Sequence, residues 1–474
     1  MSIQPSNVPP STPRPGVRRL PIRIVGDLPP DQDIAPNQHL LIISRDQSWL
    51  THGFHKYPAK FFPELPRWAI RRYSPPGGVV LDPMAGSGTT NVECLLAGRH
   101  SLAVDVDPFA RLLIRVKTTP LEPEQVACGA AAITEALDAF EREGPEARRH
   151  ARDWVPEFPY RETWFQPFIL EELGAIRHAI AGVAGALEPG GAGALELDRV
   201  QSDQPRPPGE TEAAANAQRY VDFFRICLSS IVREVSNADN NCTRTVVRTR
   251  LHKRIVPGMA LRLFRRTLDV NVARMRQFSE HCPRHVRVAI LDGADARDLP
   301  LERGSIDLAV TSPPYINAVD YPRTHQLEMY LLDLVPPGVP LAEAKRQHIG
   351  TEVVRARDYR ELHRYGHKPL DALVEALFRI DPRRAYIVYR YFVDMERNFR
   401  EVHRVLKPAG RYVVVVGNNV IRGREVPTHE LLMAVAERTG FQIETYFASE
   451  VIRHYIKVPR KERISQDWVL VLKR

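Results

Sequence analysis

Two short stretches hold the residues with which this chain could do chemistry. Residues 81–90, LDPMAGSGTT, put Gly86 and Gly88 between a short apolar run and a helical one, and Thr89 opens the helix. Glycines let a backbone approach a ligand closely, and a helix N-terminus supplies unpaired N–H groups. Thr89, not Lys, follows the second glycine, so this is no P-loop; nor is the spacing GxGxxG, which sets a dinucleotide aside. Asp82, closing the first strand, suits a ligand with an ammonium group. Asp105, at the end of the next strand, can accept hydrogen bonds from both hydroxyls of a ribose. Asp107 is the alternative for that role; Asp105 is preferred because it ends the apolar run. An aminoacyl group at one strand and a ribose at the next describe S-adenosyl-L-methionine.

The second stretch is Ser312-Pro313-Pro314-Tyr315, directly after the apolar run that ends at Thr311. Two consecutive prolines fix the backbone and remove two N–H donors. What remains is rich in acceptors, namely the Ser312 hydroxyl and the Pro313 carbonyl. Both suit the N–H groups of an exocyclic amine, and Tyr315 adds a face on which a base could stack. No Pro-Cys pair is present, so a ring-carbon mechanism with a cysteine nucleophile is not indicated, and no metal is required. Cys94 is expected in the core.

These residues need a sheet to hold them. Val79–Asp82 and Ser101–Val106 read as strands around a helix from Thr89 to Ala97, which makes one βαβ unit. Further strands are expected at 286–291, 306–311, 385–389, 412–416, 442–447 and 468–472, with helices at 395–406 and 429–439. The fold class is therefore α/β. Residues 1–36 read as a flexible leader, 37–120 as the first, cofactor-binding part of the core, 121–282 as a helical insertion, and 283–474 as the second, catalytic part. Inside the insertion, 188–210 reads as a loop, while Trp164, Phe165 and the run Asp222-Phe223-Phe224 read as helix packing.

Charge separates the segments further. The net charge of the chain is +9, yet residues 244–287 alone hold twelve Lys/Arg against two acids. A concentration of this kind is the footprint of nucleic-acid binding, with Arg248, Arg250, Lys253, Arg254, Arg265 and Arg266 as candidate phosphate contacts. The basic segment 458–468 is a second candidate, and His52, His55, Lys56 and Lys60 could line the cofactor mouth. Five cysteines stand singly and no apolar run is long enough to span a bilayer, so the expectation is a reduced, cytoplasmic protein without a membrane segment.

DPMAGSGTT paired with TSPPY resembles the amino-methylating DNA methyltransferases, whose glycine loop binds S-adenosyl-L-methionine and whose [DNS]PP[YFW] motif methylates an exocyclic nitrogen. The serine form, with the following INAVDYPR, most resembles the cytosine-N4 branch. HGFHKYPAKFFPELP (52–66) is similar to the family segment that packs on the methionine end of the cofactor, and LDGADARDLP (291–300) to the segment whose acid, here Asp295, reaches the adenine amine. Met84 stands where the family usually has Phe. The resemblance implies a Rossmann-like S-adenosyl-L-methionine-dependent methyltransferase sheet. It also implies double-stranded DNA as partner, a restriction–modification setting with a cognate endonuclease, and the insertion as target-recognition region. Adenine-N6 or RNA guanine-N2 methylation are the alternatives within catalysis; a nucleic-acid-binding protein without turnover is the rival from another class.

Overall fold

The computed structural model describes residues 21–44, 46–58, 61–186, 212–240, 242–247, 253–316, 320–336, 339, 341–450 and 466–474. Among the described residues eleven strands run in chain order: β1 (Ile22–Val25), β2 (Gln38–Ile43), β3 (Val79–Asp82), β4 (His100–Ala103), β5 (Val288–Ile290), β6 (Ile306–Thr311), β7 (Leu406–Gly417), β8 (Asn419–Ile421), β9 (Arg424–Val426), β10 (Gln442–Glu450) and β11 (Gln466–Lys473). Nine form one sheet in the order β1-β2-β10-β11-β7-β6-β3-β4-β5, and β8 and β9 form a separate hairpin. All neighbours in the large sheet are parallel except β11, which runs antiparallel to β10 and β7.

The central strands are buried on both faces, which is why β7 and β11 read as unbroken apolar runs. Val413, Val415, Val469 and Val471 point into one core layer with Trp68 and Ile70 of the helix Glu64–Tyr73. Tyr412, Val414, Leu470 and Leu472 point into the other, against the helices Pro382–Val405 and Thr428–Arg438. The sheet is an α/β layer covered by helices on both sides, as the sequence implied.

Between β4 and β5 the described residues form no sheet strand; they build the helices Pro123–Arg142, Pro167–Ala186, Glu212–Val235 and Met259–His281, among shorter ones. Their core is continuous with the helices flanking the first part of the sheet, since Phe223, Phe224 and Phe264 share a cluster with Phe54, Leu95 and Phe109. Phe165 is buried with them and Trp164 packs against the cluster, as expected; Asp222 receives hydrogen bonds from Gln218 and Arg225. Cys94 is fully buried, as expected.

Two expectations need correction. The stretch 385–389 is not a strand but lies inside the helix Pro382–Val405. Its apolar AYIVY run looked like a buried strand. Asp381, which caps the helix by accepting from Arg384 N, and Pro382 in the first turn start a helix instead. Buried Ala385, Val388, Phe392, Met395, Phe399 and Val402 then follow helical spacing. The supposed leader also carries structure, because β1 lies within residues 1–36 and extends the sheet beyond β2. Residues 1–20 and the expected loop at 188–210 lie outside the described residues.

Candidate active site

The order of the sheet locates a crevice. From β3 the chain steps to β4 and β5 on one side, while β6 and β7 lie on the other, so the connections part beyond the carboxyl ends of β3 and β6. Open α/β sheets place ligands at such a point. Here it holds a cleft of about 800 Å³, counting its open mouth, lined from the glycine loop, the ends of β4 and β6, and residues 347–349.

β3 delivers Asp82, which is 2% exposed. Its Oδ1 accepts from Thr311 Oγ1 at 2.8 Å and from Met84 N at 3.2 Å. Burial pushes its carboxyl up to about 6, with Asp105 adding repulsion and these hydrogen bonds opposing the rise. Since Thr311 is the residue before Ser312, this bond ties the glycine loop directly to the SPPY stretch. The loop then turns through Gly86 (φ +51°) and Gly88 (φ +73°), the latter preceding the helix Thr89–Leu96. A Cβ on Gly88 would lie 3.1 Å from Ile114 Cγ1, so both the backbone and the space require glycine there.

β4 leads to Asp105 and Asp107, which have different jobs. Asp105 accepts from Gly86 N at 2.7 Å and Asp107 N at 2.8 Å, fixing the loop to the strand end. Burial and the charge of Asp107 push its carboxyl above the usual range. Asp107 is 1% exposed and caps the helix Pro108–Thr118, its Oδ1 accepting from Phe109 N at 2.8 Å. Its Oδ2 has no hydrogen-bond partner.

Of the residues expected to hold a cofactor, Asp82, Met84, Gly86, Thr89, Asp105 and Asp295 line the cleft, and Gly88 shapes the turn behind it. Asp295 is engaged by Arg297, which donates from Nε at 2.8 Å and Nη2 at 2.6 Å. Against burial, which acts the other way, this pairing holds its carboxyl below the usual range. Ser312 and Pro314 also line the cleft; Pro313 is buried beside it. Tyr315 is half-buried, and its hydroxyl donates to Asp467 Oδ1 of β11 at 2.8 Å. Burial pushes the Asp467 carboxyl up to about 6, with the Tyr315 bond opposing it.

Tyr57 and Phe61 fall in the segment 52–66 expected at the methionine end of the cofactor, whereas Tyr321, Lys117 and residues 347–349 were not anticipated. Tyr57 stacks on His325 (4.8 Å between ring centroids) and on Tyr321 (5.6 Å), and it lines the cleft with Tyr321 and Phe61. Buried Lys117 donates from Nζ to the Ser87 carbonyl and so clamps the glycine loop from below. A strap formed by the helix Leu341–Gln347 and the turn after it brings Gln347, His348 and Ile349 to the cleft. Lys345 pins it to Asp320 at 2.9 Å and Arg297 donates to the Gln347 carbonyl at 2.8 Å. At its end Gly350 (φ +77°) lies so near Tyr315 that a Cβ would be 3.0 Å from the Tyr315 carbonyl oxygen.

The other candidates are placed away from the cleft or engaged elsewhere. His52 is buried against Glu93 at 2.8 Å, His55 contacts the Ser229 carbonyl, and exposed Lys56 pairs with Glu234. None of the three lines the mouth, because the first two are drawn into the packing between helices and the third reaches the insertion. Lys60 and most of 458–468 lie outside the described residues, as do Arg248 and Arg250. Arg254 and Arg266 are exposed. Lys253 is not available to a phosphate, since its Nζ donates to the carbonyls of Arg233, Ser236 and Ala238 and to Asn240 Oδ1. Arg265 is paired with Asp138 and Glu141 at 2.6 and 2.9 Å.

Among known proteins, residues 34–114 match the family model for N6/N4 DNA methylases. Over 447 residues the chain is 23% identical to the Type II methyltransferase M.MvaI of Kocuria varians, covering 91% of this chain and 89% of that protein. It is 20% identical to the Type II methyltransferase M.BsoBI of Geobacillus stearothermophilus, covering 86% and 81%. A shorter match, 36% over 77 residues, covers 16% of this chain and 14% of the Type II methyltransferase M.MjaII of Methanocaldococcus jannaschii.

Proposed function

We propose that the chain is an amino-methylating DNA methyltransferase, similar to the N6/N4 DNA methylases over residues 34–114, and that it transfers a methyl group from S-adenosyl-L-methionine to the exocyclic N4 amine of cytosine in double-stranded DNA. The observation that carries this reading is the Thr311–Asp82 hydrogen bond, which joins the glycine loop and the SPPY stretch at one cleft. The residues present fit the cofactor. Asp82 is suited to the ammonium, Asp105 to the ribose and Asp295 to the adenine amine, and all three line one cleft.

Bound there, S-adenosyl-L-methionine supplies an electrophilic methyl on a sulfonium. The rest of the task falls to the chain. The lone pair of an exocyclic amine is delocalised into its ring, which makes the amine a poor nucleophile. The Ser312 hydroxyl and Pro313 carbonyl accept the two N–H groups and so favour a pyramidal nitrogen with its lone pair directed at the methyl. The proline pair keeps these acceptors in place, and Asp467 holds the Tyr315 ring on which the extruded base stacks. Serine, a short hydroxyl where adenine enzymes commonly carry Asp or Asn, supports cytosine over adenine.

Residues 121–282 serve as target-recognition region, with Arg254 and Arg266 reaching phosphates. The similarity to proteins named Type II methyltransferases supports a restriction–modification setting with a cognate endonuclease. Nucleoside mass spectrometry of DNA and tRNA from cells expressing the chain tests the reading. N4-methylcytosine in DNA is the expected product, and Ser312→Ala lowers its rate while cofactor affinity stays near the parent's. N6-methyladenine overturns the base assignment, and modified tRNA with unmodified DNA overturns the substrate.

A further inference from the structure

His348 and Asp107 face each other across the cleft in an arrangement that neither motif requires. The Nε2 of His348 stands 4.0 Å from Asp107 Oδ2, too far for a hydrogen bond, and both atoms are buried without a partner. The other ring nitrogen, Nδ1, contacts the Ala344 carbonyl at 2.9 Å. A carbonyl can only accept, so Nδ1 carries a proton, and in the neutral tautomer that this bond selects Nε2 is a bare acceptor facing the cleft. Asp107 Oδ2 is an acceptor too, its Oδ1 being committed to the helix cap. Two buried acceptors facing one another with no donor between them are costly to keep unless a ligand brings donors.

The neighbourhood says which donors. Both residues line the cleft, and Asp105, two residues from Asp107, has each oxygen engaged by a backbone N–H. We propose that His348 is a ligand-binding residue of this cleft: its Nε2 and Asp107 Oδ2 accept hydrogen bonds from the two vicinal ribose hydroxyls. A vicinal diol presents two adjacent O–H donors, which matches two acceptors at this separation. The strap thereby becomes part of the binding site. It is held by Lys345–Asp320 and by Arg297, the residue that also holds Asp295, and it abuts Tyr315 at Gly350.

The inference rests on the cofactor reading, and the test separates the two. Calorimetric titration with S-adenosyl-L-homocysteine and with its 2′-deoxy and 3′-deoxy forms is carried out on the parent, His348→Phe, His348→Gln and Asp107→Asn. Phe fills the space without an acceptor, Gln restores one, and Asn keeps an oxygen for the helix cap while replacing the free oxygen by a donor. The expected result is about tenfold weaker binding of the ribose form by His348→Phe and Asp107→Asn, the size of one lost hydrogen bond, with partial recovery in His348→Gln. Against the deoxy form lacking the hydroxyl that is read, parent and variants bind alike. An equal loss against all three ligands, or no loss in either His348→Phe or Asp107→Asn, overturns the role. A parent that binds none of the three overturns the cofactor reading itself, and this inference with it.

Discussion

The proposed ammonium contact asks Asp82 to be an anion in a place that disfavours one. Burial raises its carboxyl to about 6, so the folded chain holds this proton more firmly than the unfolded chain does, whose ordinary value is 3.8. The stability this proton contributes is complete below about pH 4 and is lost as the pH rises through 6. Ligand binding runs in the opposite direction, because an ammonium group needs the carboxylate. Affinity for S-adenosyl-L-methionine is therefore expected to rise roughly tenfold between pH 5 and pH 7, following deprotonation of one group with this value. Asp82→Asn flattens that profile; calorimetry across the range checks it, and a profile that keeps its slope in the variant places the titrating group elsewhere. Asp82, Asp105 and Ser312 were legible in the sequence because each sits where an apolar run meets a distinctive turn. Lys117 and His348 were not. Their roles depend on segments that meet only after folding, and the strap around His348 has no periodicity or turn chemistry that points to a ligand.

The helix Thr89–Leu96 aims the glycine loop, and a buried ion network holds the helix itself. Glu93 on this helix accepts from His52 Nε2 at 2.8 Å, from Arg67 Nε at 2.7 Å and from Arg67 Nη2 at 3.0 Å. Burial alone would raise its carboxyl, but these partners hold it below the ordinary 4.5. Its stabilisation is thus present above pH 4.5 and is lost as the pH falls through the lower folded value. Glu93→Ala leaves His52 and Arg67 without their shared anion and is expected to destabilise the fold by about 3–5 kcal/mol, read from urea denaturation at neutral pH. The acid limb of the parent's stability curve should shrink in the same variant. At this scale the sequence was a good guide where strands were bounded by turns, as at 79–82 and 306–311. It failed at 385–389, where β-branched and aromatic residues favour a strand locally while Asp381, Pro382 and the helical spacing of the apolar residues over the next five turns decide otherwise.

Across the whole molecule the basic segment divides by what its charges already touch. Arg254 and Arg266 are exposed, whereas Lys253 is enclosed by four oxygen acceptors, and burial lowers its ammonium to about 8. Replacing Arg254 and Arg266 by alanine should reduce the slope of log affinity for duplex DNA against log salt by about one per lost phosphate contact. Lys253→Ala should instead lower the melting temperature and leave that slope unchanged; the reverse pattern would move the DNA surface. The sheet order carries a different consequence, one of timing. β2, near the start of the chain, lies in the finished sheet beside β10, where Gln38 faces Phe447, and β10 reaches the rest of the sheet only through the terminal strand β11. At roughly 5–20 residues synthesised per second, the first strands wait on the order of 20–80 seconds for their neighbour to be made. Throughout that interval the edge of β2 is unpaired. Pairing across so long a sequence separation makes this side of the sheet slow to close, and until it does the open edge of β2 can pair with other chains.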